Sequence, residues 1–212
     1  MSDPRGKVIR VILVDDHPVV RFGLAAIINL QSDMDVVGEA GSGEEACTLC
    51  VKRAADVVLM DLRLPGMGGV EAIRRLHAGH PDLRFIVLTT YDGDEDIRRA
   101  LEAGAQSYLL KGMSHEDVTS AIRKVHSGQR CIPEPVSRRL ADCPPHSDVS
   151  PREVEVLELI AKGLSNREIG GTLGITEATV KWHVNIILSR LGVSDRTEAI
   201  VEALQRGILH LP

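Results

Sequence analysis

The stretch Val57-Val58-Leu59-Met60-Asp61 places four apolar residues directly before an acidic one. A short apolar run without alternation is typical of a parallel strand that is buried on both faces of its sheet. Asp61 then follows the carboxyl end of this strand, and ligands bind at that edge of open parallel sheets. The segment therefore predicts a parallel β-sheet, and it also predicts a site at the carboxyl ends of the strands.

Four further apolar runs have the same character, and helix-like segments follow them. Repeated β–α units of this length predict an α/β doubly wound, flavodoxin-like parallel sheet of five strands in the order 2-1-3-4-5. The predicted strands are Ile9–Val14, Val36–Ala40, Val57–Met60, Phe85–Thr89 and Ser107–Leu110. The predicted helices are Val19–Leu30, Gly43–Arg53, Val70–Ala78, Asp94–Ala103 and His115–Ser127.

The second half of the chain has a different pattern. Four prolines between residues 128 and 148 predict a linker, with one short helical turn near Ser137–Leu140. Beyond it only helices are predicted. The chain is therefore divided into an α/β domain at 1–127, a linker at 128–148 and a small all-α four-helix domain at 149–212. The predicted helices of that domain are Pro151–Lys162, Asn166–Leu173, Glu177–Leu191 and Arg196–Arg206.

Bulk properties limit the possible functions. No apolar run approaches the roughly 20 residues that a transmembrane helix needs, so we expect a cytoplasmic protein without membrane contact. The formal net charge is −5, and residues 149–212 carry seven Lys/Arg against eight Asp/Glu. DNA binding therefore cannot be inferred from total charge and must come from a local arrangement.

Five polar side chains follow the predicted strands at their carboxyl ends. Three carboxylates that meet in one crevice repel each other, and a hard divalent cation such as Mg²⁺ relieves that repulsion and suits phosphoryl chemistry. A hydroxyl and an ammonium group complete the set, and both can contact a phosphoryl oxygen. Each acid alone is explained equally well as a turn former at a strand end. The five residues are Asp15, Asp16, Asp61, Thr89 and Lys111.

These residues lie in segments that resemble a bacterial response-regulator receiver domain over roughly residues 8–127. The matching segments are Val-Asp-Asp-His (14–17), Leu-Met-Asp-Leu-Arg-Leu-Pro-Gly-Met-Gly-Gly (59–69), Val-Leu-Thr-Thr (87–90) and Gly-Ala-Gln-Ser-Tyr-Leu-Leu-Lys (104–111). The resemblance implies that Asp61 is phosphorylated by the phosphohistidine of a sensor kinase. It implies Mg²⁺ ligands from Asp16, Asp61 and the backbone carbonyl of Arg63, with Asp15 acting through water.

The resemblance also implies a switch, in which Thr89 moves toward the phosphoryl group and Tyr108 swings inward behind it. From its sequence position alone, Tyr108 is a half-buried aromatic ring at a sheet edge. Gly112 departs from the family, where Pro or Asp is common after the lysine. A cis peptide bond is costly without proline, so we expect a trans Lys111–Gly112 bond.

In the second domain, an apolar stripe on the predicted helix Glu177–Leu191 must face a core. Lys181, Trp182 and Asn185 lie away from that stripe on a helical wheel. Lysine can bind guanine, asparagine can bind adenine, and an indole can contact a thymine methyl group in the major groove. An indole that covers a neighbouring helix or a domain interface is the alternative for Trp182.

Residues 149–208 resemble the LuxR/NarL-type helix-turn-helix through Leu-Ser-Asn-Arg-Glu-Ile (164–169), Leu-Gly-Ile-Thr-Glu-Ala-Thr-Val-Lys-Trp-His-Val (173–184) and Leu-Gly-Val-Ser-Asp-Arg-Thr-Glu-Ala (191–199). The resemblance implies that Lys181, Trp182 and Asn185 face DNA bases. It places Ser165, Asn166, Thr179 and His183 near phosphates. It implies a homodimer contact on the last helix through Ala199, Ile200, Ala203 and Leu204.

Two departures from this second family bear on stability and specificity. Gly170-Gly171 stands where alanine is commoner, and each glycine costs roughly 1 kcal/mol against alanine in a helix, so we expect a short or frayed helix without DNA. Trp182 stands where the family has a smaller residue, so the family's usual target need not apply.

The sequence predicts a phosphorylation-controlled, dimeric, DNA-binding transcription regulator and no independent enzyme. An aspartyl-nucleophile phosphohydrolase is one alternative, although Arg63 stands where such enzymes often have a second aspartate. A regulator whose first domain works without phosphorylation is the other.

Overall fold

The computed structural model describes residues 8–90, 93–142 and 149–210. By their contacts these residues form two compact units: the first contains residues 8–90 and 97–138, and the second contains residues 93–96, 139–142 and 149–210. The predicted boundaries at residues 1 and 212, and residues 143–148 of the predicted linker, lie outside the described residues.

The first unit is built on a five-stranded parallel sheet in the order β2-β1-β3-β4-β5, which confirms the predicted order. Strand β2 begins two residues earlier than predicted, because Met34 and Asp35 pair with Ile9 and Arg10 of β1. The strands are β1 Ile9–Val14, β2 Met34–Ala40, β3 Val57–Met60, β4 Arg84–Thr89 and β5 Ser107–Leu110.

Helices follow the strands at close to the predicted positions. Pro18 is the first residue of α1, one residue earlier than predicted, since proline fits the first helical turn, where no backbone donor is needed. Ser114 and Asp117 form a capping box at the start of α5. The helices are α1 Pro18–Asn29, α2 Gly43–Lys52, α3 Gly69–Gly79, α4 Asp94–Glu102 and α5 His115–His126.

The core of this unit consists mainly of Val, Ile and Leu side chains from the central strands and the helices that cover them, together with a few larger side chains such as Phe85 and Tyr108. All four residues of β3 are buried, as its continuous apolar run predicts. Since all five strands run parallel, their carboxyl ends lie at one edge of the sheet. The residues after β1, β3, β4 and β5 are therefore brought together there.

The segment predicted as a linker contains more structure than one helical turn. Cys131 forms a parallel bridge with Ser107 of β5, and its backbone N–H donates to the carbonyl of Gln106. Helix α6 then spans Glu134–Asp142, and Pro135 is tolerated because it lies in the first turn. The beginning of this segment thus contacts the first unit through β5.

Residues 149–210 of the second unit form four helices, at positions close to those predicted. The capping boxes of Ser150 with Glu153 and Ser165 with Glu168 are both present, and Gly174 and Gly192 end their helices in the left-handed conformation. The helices are α7 Pro151–Ala161, α8 Asn166–Leu173, α9 Glu177–Leu191 and α10 Arg196–Gln205.

The two adjacent glycines of α8 have different surroundings, and the helix runs through both without a break. A Cβ atom on Gly170 would lie 2.8 Å from the backbone carbonyl oxygen of Ile175, whereas a Cβ on Gly171 would meet nothing within 4 Å. Gly170 therefore permits a close approach between α8 and the turn before α9. The expected shortening of this helix is not seen.

Alanine substitutions at these two glycines should have unequal effects. We expect Gly171→Ala to raise the free energy of unfolding by about 0.5–1 kcal/mol, through helix propensity alone. Gly170→Ala should gain less or lose stability, because its methyl group displaces the Ile175 carbonyl. For both variants, the free energy of unfolding of residues 149–212 is measured by urea denaturation of the full chain. Equal stabilisation by the two variants would contradict the close approach.

Among the helices of the described residues, none has the length and apolar character needed to cross a membrane.

Candidate functional site

The carboxyl ends of β1, β3 and β5 bring two buried carboxylates and one ammonium group into direct contact. The Lys111 Nζ atom lies 2.6 Å from Oδ2 of Asp61 and 2.7 Å from Oδ2 of Asp15. Asp15 is 3% exposed and Asp61 is 4% exposed. Three residues that are far apart in sequence thus form one charged pocket, as their strand-end positions predict.

Asp16 and His17 form the solvent-facing rim of this pocket. Asp16 is exposed, and its Oδ1 atom lies 2.6 Å from Nδ1 of His17. One potential ligand atom from each of Asp15, Asp16, His17 and Asp61 lies within 4.8 Å of the others. Carboxylates at this separation can hold a hard divalent cation, so the acidic cluster required for one is present.

The electrostatic state of Lys111 follows from its two partners. Burial by itself would lower the pKa of Lys111, but the hydrogen bonds that it donates to Asp15 and Asp61, together with their negative charges, outweigh burial and raise that pKa. The ammonium group is therefore charged at neutral pH and compensates two buried carboxylates at once.

The other predicted residues of the pocket are also close to it. Thr89 is fully buried at the end of β4, and the backbone N–H of Arg63 donates to Oδ1 of Asp61 at 3.3 Å. Tyr108 lies on the edge strand β5, as its position in the sequence indicates, but it is fully buried, so the expected half-burial is wrong. The described residues contain no cis peptide bond, which confirms the trans bond expected before Gly112.

Removing the ammonium group should destabilise the first unit. We expect Lys111→Ala to lower the free energy of unfolding at pH 7 by about 2 kcal/mol, because Asp15 and Asp61 would stay buried without a counter-charge; a fully buried pair loses about 3–5 kcal/mol. Lys124→Ala, at an exposed position in the last turn of α5, is the control and should change stability by under about 0.5 kcal/mol. Similar stability of both variants would contradict this role of Lys111.

Sequence reasoning missed two contributors to the pocket. A Cβ atom on Gly69 would lie 2.1 Å from the backbone carbonyl oxygen of Asp61, so only glycine fits beside the acid without displacement. The glycine pair at 68–69 was the available signal. His17, which follows the two aspartates in the segment Val-Asp-Asp-His, is the second, since its imidazole offers a further potential ligand atom.

In the second unit, the three predicted base-reading side chains are all exposed on α9. Trp182 is 58% exposed, which argues against an indole that only covers a neighbouring helix of this unit. Lys181 and Asn185 are exposed beside it, while Val180, Ile187 and Leu191 are buried on the opposite face. Since the buried face fixes the orientation of α9, these three side chains are held on one solvent-facing surface.

The residues predicted to lie near phosphates have more varied surroundings. The Ser165 hydroxyl donates to Oε2 of Glu168 at 2.6 Å, and the hydrogen bonds from the Ser165 hydroxyl and backbone hold the pKa of Glu168 below its ordinary value. A carboxylate thus already occupies the start of α8, where a phosphate is expected. Asn166, Thr179 and His183 are partly exposed, and the Thr179 hydroxyl pairs with that of Thr176 at 2.8 Å.

The predicted dimer contact on α10 needs correction. Ala199 is 1% exposed and Ala203 is fully buried, because both pack into the core of the second unit, so neither can contact a partner molecule. Ile200 and Leu204 are partly buried against the same core. The exposed apolar residue of this helix is Val201, at 49% exposure.

Comparison with known proteins agrees with this geometry. Residues 11–123 match the response regulator receiver domain, and residues 147–203 match the luxR family of bacterial regulatory proteins. The transcriptional regulatory protein LiaR of Bacillus subtilis is 43% identical over 210 residues, which are 95% of this chain and 100% of LiaR. The response regulator protein VraR of Staphylococcus aureus is 40% identical over 206 residues, which are 95% of this chain and 99% of VraR.

A solved structure of two RcsB dimers bound to two parallel DNAs is also similar. It has a TM-score of 0.68 at 28% identity and covers 94% of this chain and 99% of the RcsB chain. Both halves of the chain, in the same order, are therefore shared with transcriptional response regulators. The chain belongs to the response regulators that join a receiver domain to a LuxR-family helix-turn-helix.

Proposed function

We propose that Asp61 is the phosphoryl acceptor of this regulator and that a sensor histidine kinase is the donor. The contact that carries the proposal is Lys111 Nζ at 2.6 Å from the Asp61 carboxylate, at the carboxyl edge of the sheet. A carboxylate oxygen of Asp61 attacks phosphorus, the phosphorus–nitrogen bond of the donor phosphohistidine breaks, and an acyl phosphate forms. Lys111 then has a new phosphoryl oxygen to contact in place of a carboxylate oxygen.

Mg²⁺ is the proposed cofactor, and the residues present fit it. Asp16 and Asp61 supply carboxylate oxygens and Arg63 supplies its backbone carbonyl, with Asp15 contributing through water. Their atoms are hard oxygen donors, and Asp16 is exposed to solvent, from which a hydrated cation approaches. When bound, the cation neutralises charge on the transferring phosphoryl oxygens.

Thr89 and Tyr108 are the proposed switch residues. Thr89 would move toward the phosphoryl group, and the space it leaves would change the packing of Tyr108. The Tyr108 ring is fully buried in the structure. Phosphorylation would act by shifting an equilibrium between two conformations of this region, so partial activity without phosphate is expected.

The second domain is proposed to bind double-stranded DNA as a homodimer, in the cytoplasm. Lys181, Trp182 and Asn185 would read bases in the major groove, while Asn166, Thr179 and His183 would lie near phosphates. Ser165 is a weaker phosphate candidate because its hydroxyl already binds Glu168. The RcsB dimers on DNA support a dimeric mode, and residues 149–212 have too little positive charge for tight binding as a monomer.

For the dimer contact on α10, we propose Val201 with the exposed parts of Ile200 and Leu204.

The boundaries at 127 and 148 remain a prediction, since α6 and the bridge at Cys131 lie between them. We infer no independent enzyme activity. An aspartyl phosphohydrolase would need a general acid, and Arg63 occupies the position where such an enzyme often has aspartate.

A DNA selection experiment tests this proposal as a whole. A random pool of duplex DNA is bound to the full chain with Mg²⁺, with and without acetyl phosphate. We expect enrichment of a pseudo-palindromic site, and tighter binding of that site with the phosphodonor. Identical affinity under both conditions would favour a regulator that works without phosphorylation, and rapid multiple turnover of a phosphate ester would favour an enzyme.

A further inference from the structure

His17 is the first residue after the two acids that follow β1, and its side chain contacts both of them at the rim of the acidic pocket. Its Nδ1 atom lies 2.6 Å from Oδ1 of Asp16 and 3.3 Å from Oδ1 of Asp15, and its backbone N–H donates to Oδ1 of Asp15 at 2.8 Å. The imidazole is 67% exposed. It therefore lies between the buried carboxylates and the solvent, on the path that an entering cation would take.

The position of His17 at the start of α1 does not explain this orientation. His17 is the N-cap residue of α1, but its side chain makes no capping hydrogen bond. A capping side chain would turn toward the backbone N–H groups of the helix, as the side chains of Ser114 and Ser150 do. The imidazole instead contacts the carboxylates that face the proposed cation.

We propose that His17 is a further ligand of the cation in this pocket, and that it increases the preference of the pocket for first-row transition cations over Mg²⁺. The proposal rests on the cation site inferred above. In the 2.6 Å contact the Nδ1 atom donates its proton to Asp16, and a bound cation would take the place of that proton. The neutral imidazole, with its proton on Nε2, would then present the Nδ1 lone pair as a ligand. Nδ1 already belongs to a set of four potential ligands within 4.8 Å of one another.

The selectivity follows from the chemistry of the ligands. Carboxylate, carbonyl and water oxygens suit Mg²⁺ and Mn²⁺, whereas imidazole favours the later divalent cations such as Fe²⁺, Ni²⁺ and Zn²⁺. A pocket of oxygens alone already binds later cations more tightly. The contribution of His17 is therefore measured as the change in selectivity when its nitrogen is removed, and not as the selectivity itself.

Isothermal titration calorimetry of the full chain with Mg²⁺ and with Co²⁺ tests the proposal. We expect His17→Ala and His17→Gln to weaken Co²⁺ binding about ten-fold or more and Mg²⁺ binding by less than about two-fold; even outer partners of a metal ligand contribute about 10–100-fold to affinity. The visible absorption of bound Co²⁺ should also change, because a nitrogen ligand is lost. His80→Ala, at the end of α3 near the opposite edge of the sheet, is the control and should change neither affinity.

Three results would overturn the proposal. Unchanged Co²⁺ affinity in both His17 variants would show that the imidazole is not a ligand. An equal loss of Co²⁺ and Mg²⁺ affinity would show that His17 only orients Asp16. Wild-type protein that binds neither cation would remove the proposed cation site itself, and the assignment of His17 with it.

Discussion

Asp61→Asn should abolish covalent labelling by a small phosphodonor in the presence of Mg²⁺. The amide lacks a charged oxygen that can attack phosphorus, and no other described carboxylate pairs with Lys111 except Asp15, which lies on the adjacent strand. Labelling is measured by intact-protein mass spectrometry with acetyl phosphate. The expected result is a complete loss of the phosphoryl adduct, together with loss of the phosphodonor-dependent gain in operator affinity.

A matched control separates the acceptor from a general loss of carboxylates. Asp35 is an exposed acid of β2 near the opposite edge of the sheet, where its backbone lies beside that of Arg10 in β1. We expect Asp35→Asn to be labelled like the wild type. Circular dichroism of Asp61→Asn should show a folded chain, since asparagine has nearly the same shape. Undiminished labelling of a folded Asp61→Asn protein would refute the acceptor, and labelling at Asp15 would move the assignment within the same pocket.

The receiver fold was predictable because its central strands are continuous apolar runs in the sequence. Runs such as Val57–Met60 are typical of strands that are covered on both faces of a sheet, and the order of such units follows from their connections. The pocket was predictable for the same reason, since strand ends at one edge of a parallel sheet converge. Lys111 contacts Asp15 and Asp61 without any local sequence signal for that contact.

The wrong predictions for the dimer contact on α10 and for the length of α8 also have physical causes. Ala199 and Ala203 are small residues on a helix with apolar side chains on more than one face, and a helical wheel does not show which face meets the core. The tightly packed Gly170 and the exposed Gly171 are identical in sequence terms, and their difference depends on the carbonyl of Ile175 across the turn. Both cases depend on contacts between helices, which a residue pattern does not specify.

Substitution of the base-reading residues on α9 should remove operator binding without unfolding the domain. A bidentate contact to a base contributes about 1–3 kcal/mol of discrimination. A dimer presents each side chain twice, so Lys181→Ala or Asn185→Ala should weaken operator binding by about 2–6 kcal/mol. Both side chains are exposed, on the face opposite the buried Val180 and Ile187, so the thermal stability of the domain should stay close to wild type.

The comparison of operator with random DNA decides what each side chain contacts. Loss of a base contact weakens operator binding and leaves non-specific binding nearly unchanged, whereas loss of a phosphate contact weakens both and lowers the salt dependence. Lys162→Ala removes one positive charge from the exposed end of α7 and is the charge-matched control for Lys181→Ala. Fluorescence anisotropy at several salt concentrations measures all of these. If Lys181→Ala and Lys162→Ala lose operator affinity equally, Lys181 contributes charge alone, and base reading by α9 then depends on Trp182 and Asn185.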